Sequence, residues 1–146
     1  VIHIKKILYP TDFSSYSNQA YFHAISLAEK HNAALTVLFV FHPEPAAGGP
    51  TSSNEADRRH WRNQLEQIRP LNPGITVKHA LLEGDPAAEI VRYAREAGTD
   101  MIVMGTHGRT GMDRLLMGSV AEKVLRDAAC SVMVVKLPHA WIGSES

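Results

Sequence analysis

GTHGRTGMDRLLMGSVAEKVL, residues 105–125, sets four glycines, Gly105, Gly108, Gly111 and Gly118, directly ahead of helix-forming residues. Glycine inside a regular element costs roughly 0.5–1 kcal/mol relative to alanine, so such a cluster asks for a physical reason. Upstream, DMIVMG (100–105) is a short apolar run that reads as a strand. Downstream, Val120, Ala121, Val124, Leu125 and Ala128 are expected on the apolar side of a helix. The stretch is a strand, a glycine-rich turn and a helix, the repeating unit of α/β folds.

The same alternation extends outward in both directions. IKKILY (4–9) reads as a buried strand ending at Pro10. TDFSSYSNQ (11–19) offers several helix caps. Ala20, Ala24, Ile25, Leu27 and Ala28 then form a helical apolar face ending near His31 and Asn32. ALTVLFVF (34–41) is almost continuously apolar, as expected of a strand covered on both faces in a parallel sheet. Residues 42–54, HPEPAAGGPTSSN, read as an exposed loop, and 55–69 as a polar amphipathic helix. ITVKHALL (75–82) is the third strand. In GDPAAEIVRYAREAG (84–98), Asp85 suits the N-cap, Pro86 the first helical position and Gly98 the C-terminal stop. SVMVVK (131–136) is the fifth strand. The order β-α-β-α-β-α-β-α-β predicts an α/β fold with a mainly parallel sheet. One domain over residues 1–137 and a weakly ordered tail over 138–146 are expected.

The 146 residues carry zero formal net charge, 45% hydrophobic and 21% charged residues. Nothing in that balance points to a nucleic-acid or membrane partner. No apolar run reaches the ~18 residues of a membrane span, and the N-terminus has no signal-peptide pattern. The lone Cys130 excludes a disulfide framework and a cysteine-rich zinc site, and fits a reducing compartment, here the cytoplasm. The histidines show no metal-ligand spacing. Met101, Met104, Met117 and Met133 lie in apolar runs and read as core.

Open α/β sheets bind ligands at the carboxyl ends of their strands, where strand order reverses. A helix N-terminus adds unpaired N–H groups and a partial positive charge, which suits phosphate. Gly118 would let a phosphate reach those amides, and Ser119 would add a hydroxyl. The competing reading is a plain turn with Ser119 as helix cap. Neither G-x-x-x-x-G-K-[ST] nor G-x-G-x-x-G occurs, so a phosphate site here follows another layout.

Gly105, two residues, Gly108, nine residues, then Gly118-Ser119 matches the G-x2-G-x9-G-[ST] pattern of the universal stress protein family. With KKILYPTDFS and SVMVVK the resemblance covers almost the whole chain, and 42–72 is its least diagnostic part. The resemblance implies a five-stranded parallel sheet in order 3-2-1-4-5, with helices on both faces, that binds ATP, accompanied by Mg²⁺ or Mn²⁺. It places Asp12 at the ribose or metal-phosphate end, Val40 at the adenine through its backbone and Gly105 near the ribose. Gly108, Gly118, Ser119 and the Val120 amide fall on the phosphates, which Arg109 could screen. Pro10, Thr11, Met104 and His107 complete the expected nucleotide-binding set. It further implies a homodimer through the edge strand 131–136.

Alternatives stand beside several of these residues. Asp12 could instead cap the first helix. Arg109 could be a solvated loop residue, Arg114 and Asp113 a surface pair, and His107 a structural histidine rather than a catalytic one. Three function classes follow: a nucleotide-dependent regulatory or sensor protein in stress response, a slow ATPase, or a nucleotide-free dimeric interaction module. The strand-1 loop PTDFSS lacks the S-G-G-x-D-S signature of the adenylating enzymes that share this architecture, which argues against substrate adenylation. No catalytic residue and no protein metal ligand is assigned.

Overall fold

Alternate residues of the strands are buried on opposite faces of one sheet, which is why their sequences are apolar throughout. The computed structural model describes residues 2–42, 55–106 and 117–136. Its elements are β1 (Lys6–Pro10), α1 (Ser15–His31), β2 (Ala34–Phe41), α2 (Glu55–Glu66), β3 (Val77–Glu83), α3 (Pro86–Glu96), β4 (Met101–Gly105), α4 (Ser119–Asp127) and β5 (Ser131–Val135). All pairings are parallel and the order is β3-β2-β1-β4-β5, as the family resemblance implies.

Ile7, Tyr9, Leu35, Val37, Phe39 and Val103 bury one face against Ala20, Ala24 and Ala28 of α1 and Leu65 of α2. Leu8, Leu38, Val40, Ile102 and Met104 bury the other against Ala87, Ile90 and Ala94 of α3 and Ala121 and Val124 of α4. Small residues on α1 let that helix lie close to the central strands, where β1 and β4 are neighbours.

The helix ends follow local chemistry. Asp85 accepts from the Ala88 N–H at 3.0 Å, with Pro86 opening α3. Gly98 takes the left-handed conformation (φ 68°) just past it, as the stop signal predicts. Asn32 (φ 51°, ψ 46°) closes α1, and the Ala33 N–H returns to the Ala28 carbonyl at 2.9 Å.

Some expectations are corrected. α2 ends at Glu66 rather than 69, and β3 starts at Val77 rather than 75. Leu125 is 47% exposed, because Ala121 and Val124 take the buried line and Leu125 is turned about 100° away from Val124. Met117 is 37% exposed, since it precedes the first helical residue and lies off that line. The other three methionines are buried or packed against the cores. Loop residues 43–54, residues 107–116 and the tail 138–146 lie outside the described residues. Among the described residues, no helix is long and apolar enough to cross a membrane.

Candidate functional site

The ladder between the two central strands ends before the strands do. β1 pairs with β2 from Lys6↔Ala34 to Pro10↔Leu38, and the Thr11 N–H continues the ladder to the Leu38 carbonyl at 2.8 Å. β4 pairs with β5 from Met101↔Ser131 to Gly105↔Val135, and the Thr106 N–H continues it to the Val135 carbonyl at 3.1 Å. Between β1 and β4 the pairs are Ile7↔Met101 and Leu8↔Ile102. The carboxyl end of β1 therefore goes with β2 and that of β4 with β5. Strand order reverses between them, and such a switch point is the usual ligand position in open α/β sheets.

One rim is the loop after β1. Thr11 is 5% exposed, and its hydroxyl faces inward. It accepts from the Phe13 N–H at 3.0 Å and lies 3.2 Å from Ser17 Oγ. Asp12 Oδ1 accepts from the Ser14 N–H at 3.0 Å, an Asx turn. The cap of α1 is Ser14, not Asp12: its Oγ accepts from the Ser17 N–H at 3.3 Å. The capping reading of Asp12 is thus replaced by a turn-forming one, which keeps its carboxylate on the rim. Phe13 sits at φ 65°, unusual for a bulky residue. Its ring holds it there, packed at 4.8 Å from Phe39 and stacked at 5.7 Å on Trp61. Beneath the loop, the buried Tyr9 hydroxyl donates to the Ser17 carbonyl at 2.6 Å. Burial raises the Tyr9 pKa, opposed by its hydrogen bonds with Thr11 and Ser17.

The other rim joins β4 to α4. The Gly118 N–H donates to the Thr106 carbonyl at 2.7 Å, which ties the start of α4 to the end of β4. Thr106 was not among the expected site residues. Nothing in its sequence context distinguishes it, since its role is a backbone bond to a residue beyond the glycine turn. Gly118, not Ser119, is the N-cap of α4, and among the described residues no side chain caps that end. The capping reading of Ser119 therefore gives way: Ser119 is the first helical residue, and its hydroxyl is exposed. The first amides of a helix have no partner within it, so an uncapped N-terminus offers them outward with the positive end of the dipole.

The two described glycines of the motif have different uses. A Cβ on Gly105 would lie 2.6 Å from the Tyr16 carbonyl oxygen, so this glycine lets β4 touch the backbone of α1. Gly118 has φ −66° and ψ 158°, ordinary for any residue, so its backbone conformation does not require glycine.

Val40 is buried and its side chain belongs to the α3–α4 core, as does that of Met104. Alternate residues of β2 bond to opposite neighbours, and Leu38 bonds toward β1. Val40, two residues on, turns its peptide N–H and C=O to the same side, past the end of β1. Pro10, Thr11, Asp12, Val40, Gly105, Gly118, Ser119 and Val120 thus lie at the carboxyl edge of the sheet. Met104 lines the core beneath. His107, Gly108 and Arg109 lie outside the described residues. Among the described residues, no three His, Cys, Asp or Glu side chains gather as metal ligands. Burial pushes the Cys130 thiol up, away from the low-pKa environment of a nucleophilic cysteine.

Residues 3–136 match the profile of the Universal stress protein family. Universal stress protein MJ0531 of Methanocaldococcus jannaschii is 38% identical over 141 residues, 92% of this chain and 83% of that protein. The solved structure of the hypothetical protein MJ0577 is similar with a TM-score of 0.77 and 30% identity, over 94% of this chain and 99% of that one. A universal stress protein from Archaeoglobus fulgidus, solved in complex with dAMP, has a TM-score of 0.66 and 22% identity, over 93% of this chain and 100% of that one.

Proposed function

The chain belongs to the universal stress protein family, and from that premise we propose that it binds ATP in the switch-point crevice and acts as a nucleotide-dependent regulatory or sensor protein in stress response. The observation that supports this reading is the start of α4, without a side-chain cap among the described residues and held against the end of β4 by the bond from Gly118 to Thr106, at the same carboxyl edge of the sheet as the Asp12 loop. Bare amides and a helix dipole favour a polyphosphate. The Val40 peptide group supplies one donor and one acceptor in an apolar surround, which suits the edge of an adenine. The dAMP in the A. fulgidus structure belongs to that protein, and makes adenine nucleotides the first ligands to try.

A Mg²⁺ or Mn²⁺ accompanying the nucleotide would be held chiefly by phosphate oxygens, with the Asp12 carboxylate and Ser119 hydroxyl as protein oxygens on the two rims. Hydrolysis would need an oriented water and a base. At most one equivalent of phosphate released per chain supports a sensor, and repeated turnover dependent on Asp12 or His107 supports an ATPase. β5 is an edge strand with three half-buried residues, Val132, Met133 and Val134. An apolar edge favours pairing with a second copy, and light scattering tests for the dimer.

Native mass spectrometry of protein purified without added nucleotide, followed by titration with ATP, tests the binding claim. Gly118→Val should place a branched side chain in the phosphate approach and remove ATP binding while the fold persists. Unchanged ATP affinity in that variant would refute the site.

A further inference from the structure

The early end of the β1–β4 ladder has an identifiable cause in the sequence. Lys6 bonds toward β4: its N–H donates to Asp100 Oδ2 at 3.0 Å, and its carbonyl accepts from the Asp100 N–H at 2.9 Å. Lys5 and Thr11 bond toward β2 instead, through Ala34 and Leu38. Residues of a strand alternate in this respect, so Leu8 and then Pro10 also face β4. On the opposite strand, Thr106 bonds to β5, so Val103 and Gly105 face β1. After the Leu8↔Ile102 pair, the next bond of a parallel ladder would run from the N–H of residue 10 to the Val103 carbonyl. Proline has no N–H. The ladder stops where that donor is missing, while β1 continues with β2 through Pro10↔Leu38.

A proline is ordinarily confined to sheet edges or the first residue of a strand. Here it ends the innermost strand of the sheet. We propose that Pro10 is a positioning residue for the nucleotide site: by presenting a ring where the β1–β4 ladder needs an N–H, it keeps the central strands from zipping to their carboxyl ends. The crevice between the Asp12 loop and the start of α4 thereby stays open. This rests on the nucleotide-binding reading above, deepening it from which residues line the site to what keeps the site open.

The test restores the missing donor. Pro10→Ala supplies an N–H, and an alanine ester analogue at the same position (lactic acid, introduced by nonsense suppression) supplies the same methyl without it. In the alanine variant the residue-10 amide should exchange with solvent as slowly as the ladder amides of Leu8 and Tyr9. ATP affinity should fall roughly threefold to tenfold, the equivalent of one ladder bond that must open for the ligand. The ester, which differs from the alanine variant only in lacking that N–H, should bind ATP roughly threefold to tenfold more tightly than the alanine variant. A residue-10 amide that exchanges at loop rates, or an ester that binds as weakly as the alanine variant, would overturn the proposal. Should Pro10→Ala not fold, Pro10→Val provides the same N–H on a strand-favouring residue. The parent is titrated first. Absence of ATP binding there sinks the nucleotide reading, and the exchange measurement then decides the role of Pro10 by itself.

Discussion

Gly105→Ala separates the two uses of glycine in the motif. The added Cβ would sit 2.6 Å from the Tyr16 carbonyl oxygen, 2.8 Å from its carbon and 3.2 Å from the Ser17 nitrogen. Even a weak C–H···O contact holds carbon and oxygen about 3.3 Å apart, so roughly 0.7 Å must be found by moving backbone. That backbone is the first turn of α1, and it is fixed from several sides. Ser14 caps it at 3.3 Å, the Tyr9 hydroxyl holds the Ser17 carbonyl at 2.6 Å, and Ser17 Oγ donates to the Ser14 carbonyl at 2.9 Å. On the other side, Gly105 is held to β5 by its pairing with Val135. Overpacking of this kind costs about 1–3 kcal/mol. For a chain of this length each kcal/mol lowers Tm by about 2–4 °C, so a drop of roughly 2–12 °C is expected. Gly118→Val, at an ordinary φ of −66°, should cost only about 1 kcal/mol through the weaker cap. Thermal melts by circular dichroism, paired with ATP titration of each folded variant, read both effects. A Tm for Gly105→Ala within about 1 °C of the parent would show that the close approach of β4 to α1 is not what Gly105 serves.

Other outcomes follow from the same geometry. Ser14→Ala should cost about 1 kcal/mol in urea unfolding, as loss of an N-cap, while Asp12→Asn keeps the turn acceptor and should leave stability within about 0.5 kcal/mol. The Asp12→Asn variant should nonetheless bind Mg²⁺-ATP more weakly, and the reverse pattern would restore Asp12 as the cap. The Asp100 carboxyl is held below its ordinary value by the N–H groups of Lys5 and Lys6, on Oδ2 at 2.9 and 3.0 Å. A depressed folded-state pKa stabilises above the unfolded value of 3.8 and is lost as pH falls below it. Asp100→Ala should therefore lower stability at neutral pH and flatten its decline below that value, seen in a pH series of urea midpoints. An undiminished acid dependence would assign the decline to other groups.

The element order, the strand count and several helix ends were legible in the sequence, because they rest on periodicity and short-range chemistry. Asp85 with Pro86, Gly98, and the near-continuous apolar run 34–41 each carry their meaning within a few residues. The strand order came with the family pattern of Gly105, Gly108 and Gly118-Ser119. Periodicity was weaker within α4, where Leu125 and Val124 are equally apolar but only the latter is buried. Only the tertiary structure decided which of several adjacent polar residues caps α1, since Asp12 and Ser14 are equally good caps until the turn places one of them. It alone gave Gly105 its packing role, because Tyr16 reaches that glycine through the sheet rather than along the chain. It alone turned Pro10 toward β4, because the direction of a missing hydrogen bond exists only once strands have neighbours.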